Sequence, residues 1–85
     1  MSKYALYIDP KPLKLFKTLK KSDQARIDVA LLLLAENPIP PKALKLANRD
    51  GYRIRVGDFL IIYTFRREVL VIRVLTIAQS REAYL

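Results

Sequence analysis

The chain has 85 residues, and its 16 lysines and arginines outnumber its 8 acidic residues, giving a net charge of +8. This length fits one small domain, which we assign to residues 1–85, burying roughly 60% of its unfolded surface. Histidine and cysteine are absent, which excludes disulfides, thiolate metal sites and imidazole bases, so an enzyme of this composition would have to move protons with tyrosine, lysine, arginine or carboxylates. The charge is typical of a nucleic-acid-binding protein or of a protein neutralised by an acidic partner.

Two features of the sequence argue against export and membrane insertion. Residues 1–8 lack the apolar stretch and the cleavage site of a signal peptide. The longest uncharged apolar run, residues 29–35, is far shorter than the roughly 20 residues that span a bilayer. We therefore expect a cytoplasmic protein with no membrane partner.

The chain begins with a predicted strand and a basic helix. Residues 4–8 read as a short strand, and Asp9 followed by Pro10 is typical of a helix start, with the aspartate as a candidate cap. Apolar residues then recur every third position among lysines, and they predict one narrow buried stripe. The stripe consists of Leu13, Phe16 and Leu19.

A second helix is predicted from an N-cap at Ser22 to about Glu36, where Asn37 and Pro38 end it. Its C-terminal half is apolar almost all round, because Val29, Leu32 and Leu33 lie outside the main core stripe. One interpretation is that this half is covered on two sides, by the first helix and by the sheet. The alternative is an exposed patch that binds a partner.

The segment from Gly51 to Tyr63 alternates on both sides of Gly57 and Asp58, which predicts a β-hairpin with a two-residue turn. That turn would place Arg55 opposite Leu60. One face of the hairpin would then pack against the helices, and the other would be open. We assign to the open face Arg53, Arg55, Leu60, Ile62 and Thr64.

The remaining segments complete an α+β fold. Residues 38–41 are a proline-rich connector, and residues 42–49 form a basic loop. After the hairpin, residues 66–68 form a charged turn, residues 69–77 a mostly buried strand, and residues 78–85 a tail. The order strand, helix, helix and three antiparallel strands predicts two helices packed on one face of a small antiparallel sheet.

Arg53 and Arg55 are the strongest candidates for a functional site. Residues two apart in a strand point to the same side at a spacing of about 7 Å. Two guanidinium groups at that spacing form an anion site, and phosphate is the obvious anion. The alternative is that both are ordinary solvated residues on a half-exposed strand.

The hairpin sequence GYRIRVGDFLIIY resembles, in spacing and residue type, the hairpin of the RelE/ParE superfamily of type II toxin-antitoxin toxins, and it is closer to RelE. The tail, residues 77–84, is similar to the tail of the same family. The resemblance implies a ribosome-dependent mRNA endonuclease that enters the decoding A site and promotes attack of a ribose 2′-OH on the adjacent phosphate without metal or cofactor. It also implies an acidic RelB-like antitoxin as partner.

Residue by residue, the resemblance assigns catalysis to two hairpin and two tail positions. These are Arg53, Arg55, Arg81 and Tyr84. The two hairpin arginines are also expected to bind RNA. Further expected contacts to RNA are Lys42 and Lys45, as generic phosphate contacts, and Arg73, for which a structural or solvated role is favoured.

Two positions depart from the family, because Leu60 and Ser80 stand where the family usually has basic residues. They leave two other hypotheses open. One is a ParE-like toxin that inhibits DNA gyrase by protein contact. The other is a catalytically weakened RelE homologue that mainly binds its antitoxin.

Overall fold

The computed structural model describes residues 3–79. Five strands and two helices follow one another along this range. They are β1 (Ala5–Ile8), α1 (Pro10–Thr18), α2 (Lys21–Glu36), β2 (Leu44–Lys45), β3 (Tyr52–Val56), β4 (Phe59–Arg66) and β5 (Val71–Gln79). The strands form one sheet in the order β1-β5-β4-β3-β2, and the helices pack against it.

The predicted α+β class is confirmed, but the sheet differs from the prediction in two details. Strand β1 pairs in parallel with β5, from Ala5 opposite Val71 onwards, so the sheet is mixed. No short hairpin joins these two strands, and a long connection through helices permits parallel pairing. The second detail is β2, where Leu44 and Lys45 pair with β3 inside the segment predicted as a basic loop.

The helix boundaries agree with the sequence at the start of α1 and at the end of α2. Helix α1 begins at Pro10, and α2 ends at Glu36, as predicted. However, α2 begins before Ser22, because the carbonyl of Lys20 already accepts hydrogen bonds from the N–H groups of Asp23 and Gln24. The predicted cap at Ser22 is therefore wrong, and Lys20 is the N-cap residue.

The core lies between α2 and the helix-facing side of β3, β4 and β5. Its α2 members are Ile27, Leu31, Leu34 and Ala35.

Tyr63 of β4 is fully buried, and its hydroxyl donates a hydrogen bond of 2.8 Å to the carbonyl of Pro38. The pKa of Tyr63 is raised to about 12, mainly by burial of the phenol and to a smaller extent by the nearby Tyr52. The phenol is therefore protonated at neutral pH and anchors the proline-rich connector.

One side of α2 is uncovered. Val29, Leu32 and Leu33 are all exposed, so the expectation that this half of the helix is covered on two sides is wrong. The alternative, an exposed apolar patch, is confirmed. No helix within residues 3–79 is long and apolar enough to cross a membrane.

Candidate functional site

The hairpin has the predicted register. Val56 lies opposite Phe59, and Arg55 lies opposite Leu60. Gly57 takes a φ of +58°, which glycine adopts without strain in a tight turn. Because Ile54 belongs to the core cluster, its neighbours Arg53 and Arg55 point to the other side of the sheet. We call this side of β3 and β4 the arginine face; its members are Arg53, Arg55, Leu60, Ile62 and Thr64.

Neither arginine of this face has an acidic partner within residues 3–79, where the ion pairs are Arg66 with Glu68 and Arg73 with Asp9. Arg53 is half-buried, and Arg55 is exposed. The Nε of Arg55 donates to the carbonyl of Gly57 at 3.1 Å, which holds the side chain close to the turn. Two guanidinium groups without carboxylates remain available to an anion.

Arg73 lies on the same side of the sheet but is separate from this pair. It stands opposite Thr64 in β4 and opposite Tyr7 in β1. Two interstrand spacings, across β4, and two residues along the strands separate its Cα from that of Arg53, or roughly 12 Å. Its guanidinium donates two hydrogen bonds to the Asp9 carboxylate, at 2.7 and 3.0 Å. These bonds and the charge of Asp9 raise the pKa of Arg73.

The arginine face is less open than predicted, because Leu60 is only 8% exposed. Leu60 is nevertheless outside the core cluster, as expected for a side chain on the other face of the sheet. Its neighbour Ile62 is half-buried. The position opposite Arg55 is therefore apolar and covered, not an open place beside the two arginines.

The loop between β2 and β3 lines a half-open surface cavity of about 360 Å³, which we call the loop cavity. Its basic lining residues are Lys45, Arg49 and Arg53. The structure thus brings the predicted residue Lys45 together with Arg53. Arg49 was missed in the sequence, because nothing there indicated that its loop connects two paired strands; the pairing of Lys45 with Tyr52 is the missing signal.

A second concave surface lies between α2 and β3, and we call it the α2 groove. It has a volume of about 460 Å³ and is mainly apolar. Its apolar lining consists of Val29, Ala30, Leu33, Leu34, Pro40, Pro41, Ile54 and Val56. Its charged lining residues are Arg26, Lys42 and Arg55, so Lys42 lies here and not in the loop cavity.

The groove also borders a free strand edge. Strand β2 pairs only with Tyr52 and Arg53, so residues 54–56 of β3 have no strand on that side within the described part of the chain. Unpaired N–H and C=O groups at such an edge can bind an added strand.

The predicted tail residues Arg81 and Tyr84, and the departure at Ser80, lie outside the described residues.

Comparison with known families identifies the class of protein. Residues 13–84 match the family described as the ParE toxin of the type II toxin-antitoxin system, parDE. This chain is a toxin of that family. No curated protein matches it in sequence.

Solved structures of similar fold are RelE toxins, so the resemblance to the RelE/ParE superfamily is confirmed. The RelE-RelB complex from Pyrococcus horikoshii OT3 matches with a TM-score of 0.78 and 25% identity, over 92% of this chain and 96% of that one. The isolated Escherichia coli RelE toxin matches with a TM-score of 0.79 and 22% identity, over 95% of both chains. The intact E. coli RelBE complex matches with a TM-score of 0.79 and 20% identity, over 89% of this chain and 95% of that one.

Proposed function

We propose that this toxin is an endonuclease that cuts mRNA on the ribosome. The observation that supports the proposal is the pair Arg53 and Arg55, which project from one strand without acidic partners among the described residues. RNA cleavage places extra negative charge on a pentacoordinate phosphate. Cations held in place beforehand stabilise that charge in the transition state more than in the ground state.

The proposed reaction needs only the RNA itself as nucleophile. The 2′-oxygen forms a bond to the adjacent phosphorus, and the bond from phosphorus to the 5′-oxygen of the next nucleotide breaks. One proton leaves the 2′-OH, and one is delivered to the departing 5′-oxygen. The products carry a 2′,3′-cyclic phosphate and a 5′-hydroxyl. Arg53 and Arg55 hold the phosphate; the family resemblance assigns the other roles to Arg81 and Tyr84.

The ribosome is proposed to supply alignment. In-line attack requires the 2′-oxygen, the phosphorus and the leaving oxygen to be nearly collinear, and holding reactants in such a geometry contributes much of the rate. Two strand-borne arginines cannot impose that geometry on a flexible RNA. The mRNA codon held in the ribosomal A site is the substrate that we propose.

Cleavage on programmed ribosomes tests the proposal. Purified toxin added to translating ribosomes should produce A-site cuts, detected by primer extension, while the same mRNA without ribosomes stays largely intact. The 3′ ends should be 2′,3′-cyclic phosphates. A toxin that stops translation without cutting the mRNA would contradict the proposal.

A second candidate function is inhibition of DNA gyrase by protein contact. The observation that favours it is the match to the ParE family together with Leu60, which is an apolar, covered residue where RelE-like sequences usually have a cation. A supercoiling assay with purified gyrase separates the two functions. Inhibition of gyrase without cleavage on ribosomes would support this candidate.

We further propose that the α2 groove binds an acidic antitoxin. Apolar walls next to three cations suit a segment that carries both apolar and acidic residues, and the free edge of β3 can pair with an extended part of it. RelE is complexed with RelB in similar structures. Because Arg55 lines the groove as well as the arginine face, a bound carboxylate there would compete with RNA phosphate.

Co-expression tests this partner. The open reading frame next to the toxin gene should encode an acidic protein, and a tag on the toxin should recover that protein from the lysate. We expect the dissociation constant of the complex to be nanomolar. Recovery of the toxin alone from the co-expressing cells would count against the proposed antitoxin.

A further inference from the structure

We propose that the loop cavity is a binding subsite for the phosphate backbone of the RNA, next to the reacting phosphate that Arg53 and Arg55 hold. The inference rests on the proposed function and extends it to a residue, Arg49, that neither the hairpin motif nor the family match assigns to a role.

The loop that forms the cavity is held closed at its base. The N–H of Leu46 donates to the carbonyl of Gly51 at 3.0 Å, so only residues 47–50 lie beyond this bond. Gly51 has a φ of +129°, and a Cβ there would lie 3.0 Å from the carbonyl oxygen of Tyr63. Replacement of this glycine would therefore strain the base of the loop. The bond from Leu46 to Gly51 and the close approach of Gly51 to Tyr63 fix the position of the loop relative to β3 and β4.

The charges that line the cavity are all positive. Lys45 and Arg53 come from the paired strands β2 and β3, and Arg49 comes from the loop between them. No acidic residue lines the cavity, and none of the three cations forms an ion pair in the described part of the chain. Three like charges around one concave space repel each other, and an anion relieves that repulsion.

The size and chemistry of the cavity fit a nucleotide unit better than a free small ion. Its volume of about 360 Å³ is within the range of about 300–1,000 Å³ that is usual for ligand pockets. Asn48 adds an amide that can donate and accept hydrogen bonds, as ribose and base edges require. Arginines that contact phosphate fix the position of a nucleic acid without reading its sequence.

Arg53 connects the cavity to the proposed reaction site. It lines the cavity, and it stands two residues from Arg55 on the same side of β3, at a spacing of about 7 Å. A single RNA strand can thus pass from the cavity to Arg55 along β3. Arg49 would bind the substrate at a distance from the reacting phosphorus, whereas Arg55 would act on the reacting phosphate itself.

A probe that cannot be cut separates binding from catalysis. The full-length toxin is titrated with a fluorescein-labelled, 2′-O-methylated single-stranded oligoribonucleotide, which lacks the nucleophilic hydroxyl, and anisotropy is followed at several salt concentrations. We expect Arg49→Gln to weaken binding about five- to tenfold and to lower the salt slope by about 0.7, the value for one phosphate contact to a single strand. Arg49→Lys, which keeps the charge, should retain the slope.

Lys14→Gln is the matched control, because it also removes one positive charge. Lys14 is an exposed residue of α1, which packs on β5. The loop cavity is far from it, because it lies beside β2, the strand at the opposite edge of the sheet from β1 and β5. We expect it to change the affinity less than twofold. On ribosomes, Arg49→Gln should raise KM and leave kcat within twofold.

Three results would overturn the inference. They are equal effects of Arg49→Gln and Lys14→Gln, no binding of the probe by wild-type toxin at low salt, and a loss of antitoxin binding in Arg49→Gln with RNA binding unchanged. The last would make the cavity a protein contact. Failure of ribosome cleavage would contradict the proposed function but leaves this binding measurement intact, so the two failures are distinguishable.

Discussion

The arginine face and the α2 groove lie on the two sides of strand β3, and they suit different ligands. The arginine face presents Arg53 and Arg55 without acidic partners among the described residues, next to the basic loop cavity. The groove is walled by aliphatic side chains and prolines. Binding to the first should depend strongly on salt, because it displaces counterions from phosphates. Binding to the second should depend mainly on apolar area removed from water.

Arg55 is the one residue that lines the groove and also belongs to the arginine face. Its backbone is in β3, next to the turn, and its side chain is held there by Gly57. A ligand in the groove can therefore neutralise a residue of the other surface without covering all of it. The comparison predicts that most substitutions affect one surface only and that Arg55 affects both.

The largest expected effect is on antitoxin binding, from Leu33→Asp in the groove. Leu33 is 63% exposed, so the substitution should leave the fold intact while placing a charge against apolar and acidic groups of the partner. We expect the affinity for antitoxin to fall by a hundredfold to a thousandfold, or about 3–4 kcal/mol, by calorimetry.

Leu32→Asp is its matched control. Leu32 is the preceding residue of α2 and is 56% exposed, but it does not line the groove. Its antitoxin affinity should stay within a few-fold of wild type, and both variants should cut mRNA normally. Equal losses in the two variants would mean that the whole exposed side of α2, not the groove, is the binding surface.

Arg55→Ala should have the next largest effect, a loss of about fifty- to hundredfold in ribosome-dependent cleavage, or about 2.5 kcal/mol of transition-state stabilisation. Because Arg55 also lines the groove, its antitoxin affinity should fall about threefold.

The control for Arg55→Ala is Arg66→Ala, at the exposed end of β4, where the arginine pairs with Glu68. It should keep both activities and, like Arg55→Ala, a normal thermal melt. Cleavage by Arg55→Ala at the wild-type rate would remove the arginine face from the reaction.

A smaller effect, on stability, is expected from Tyr63→Phe, because Tyr63 holds the connector that carries Pro40 and Pro41 of the groove. Loss of its hydrogen bond should lower the free energy of unfolding by about 1 kcal/mol at pH 8. The folded-state pKa of about 12 is higher than the unfolded value of about 10. The protonated phenol therefore stabilises the fold fully below pH 10, and this stability is lost as the pH rises from 10 to 12.

The pH dependence gives the decisive comparison. The wild type should lose roughly 1.4 kcal/mol relative to Tyr63→Phe between pH 8 and 11, most of it above pH 10, so that its advantage at pH 8 disappears. Other titrating groups cancel in the difference between the two proteins. Denaturant unfolding at pH 8, 10 and 11 measures it, and a constant difference over this range would show that the phenol is not buried as described.

The sequence was sufficient where the signal is local. Alternation around Gly57 and Asp58 predicted the faces and the register of β3 and β4, because side chains alternate in a strand and a two-residue turn leaves one pairing. The exposed patch of α2 was one of two interpretations. Only the position of the helix on the sheet, which depends on the whole core, decided between them.

The sequence was insufficient where distant segments meet. Asp9 was predicted as a helix cap, but its carboxylate makes no cap hydrogen bond and instead accepts from Arg73, 64 residues away. Strand β2 has only two residues and is defined by its pairing with β3, so no periodic pattern could reveal it. The same pairing creates the loop cavity and brings Arg49 to it. The burial of Leu60 likewise depends on packing that alternation does not encode.

The smallest effect is expected from Arg73→Ala, which tests the boundary of the arginine face. Arg73 is on the same side of the sheet, but its guanidinium is bonded to Asp9 by two hydrogen bonds. Ribosome-dependent cleavage should therefore stay within twofold of wild type. The melting temperature should fall by a few degrees at most, because exposed ion pairs contribute little to stability.

Asp9→Asn removes the partner charge and leaves Arg73 in place, so the two single variants and the double variant form a cycle for this one contact. Thermal melts of all three should show that the double variant loses less than the sum of the single losses. A loss of cleavage in Arg73→Ala comparable to that in Arg55→Ala would instead mean that Arg73 leaves Asp9 when RNA binds, and that the arginine face extends across β4 to β5.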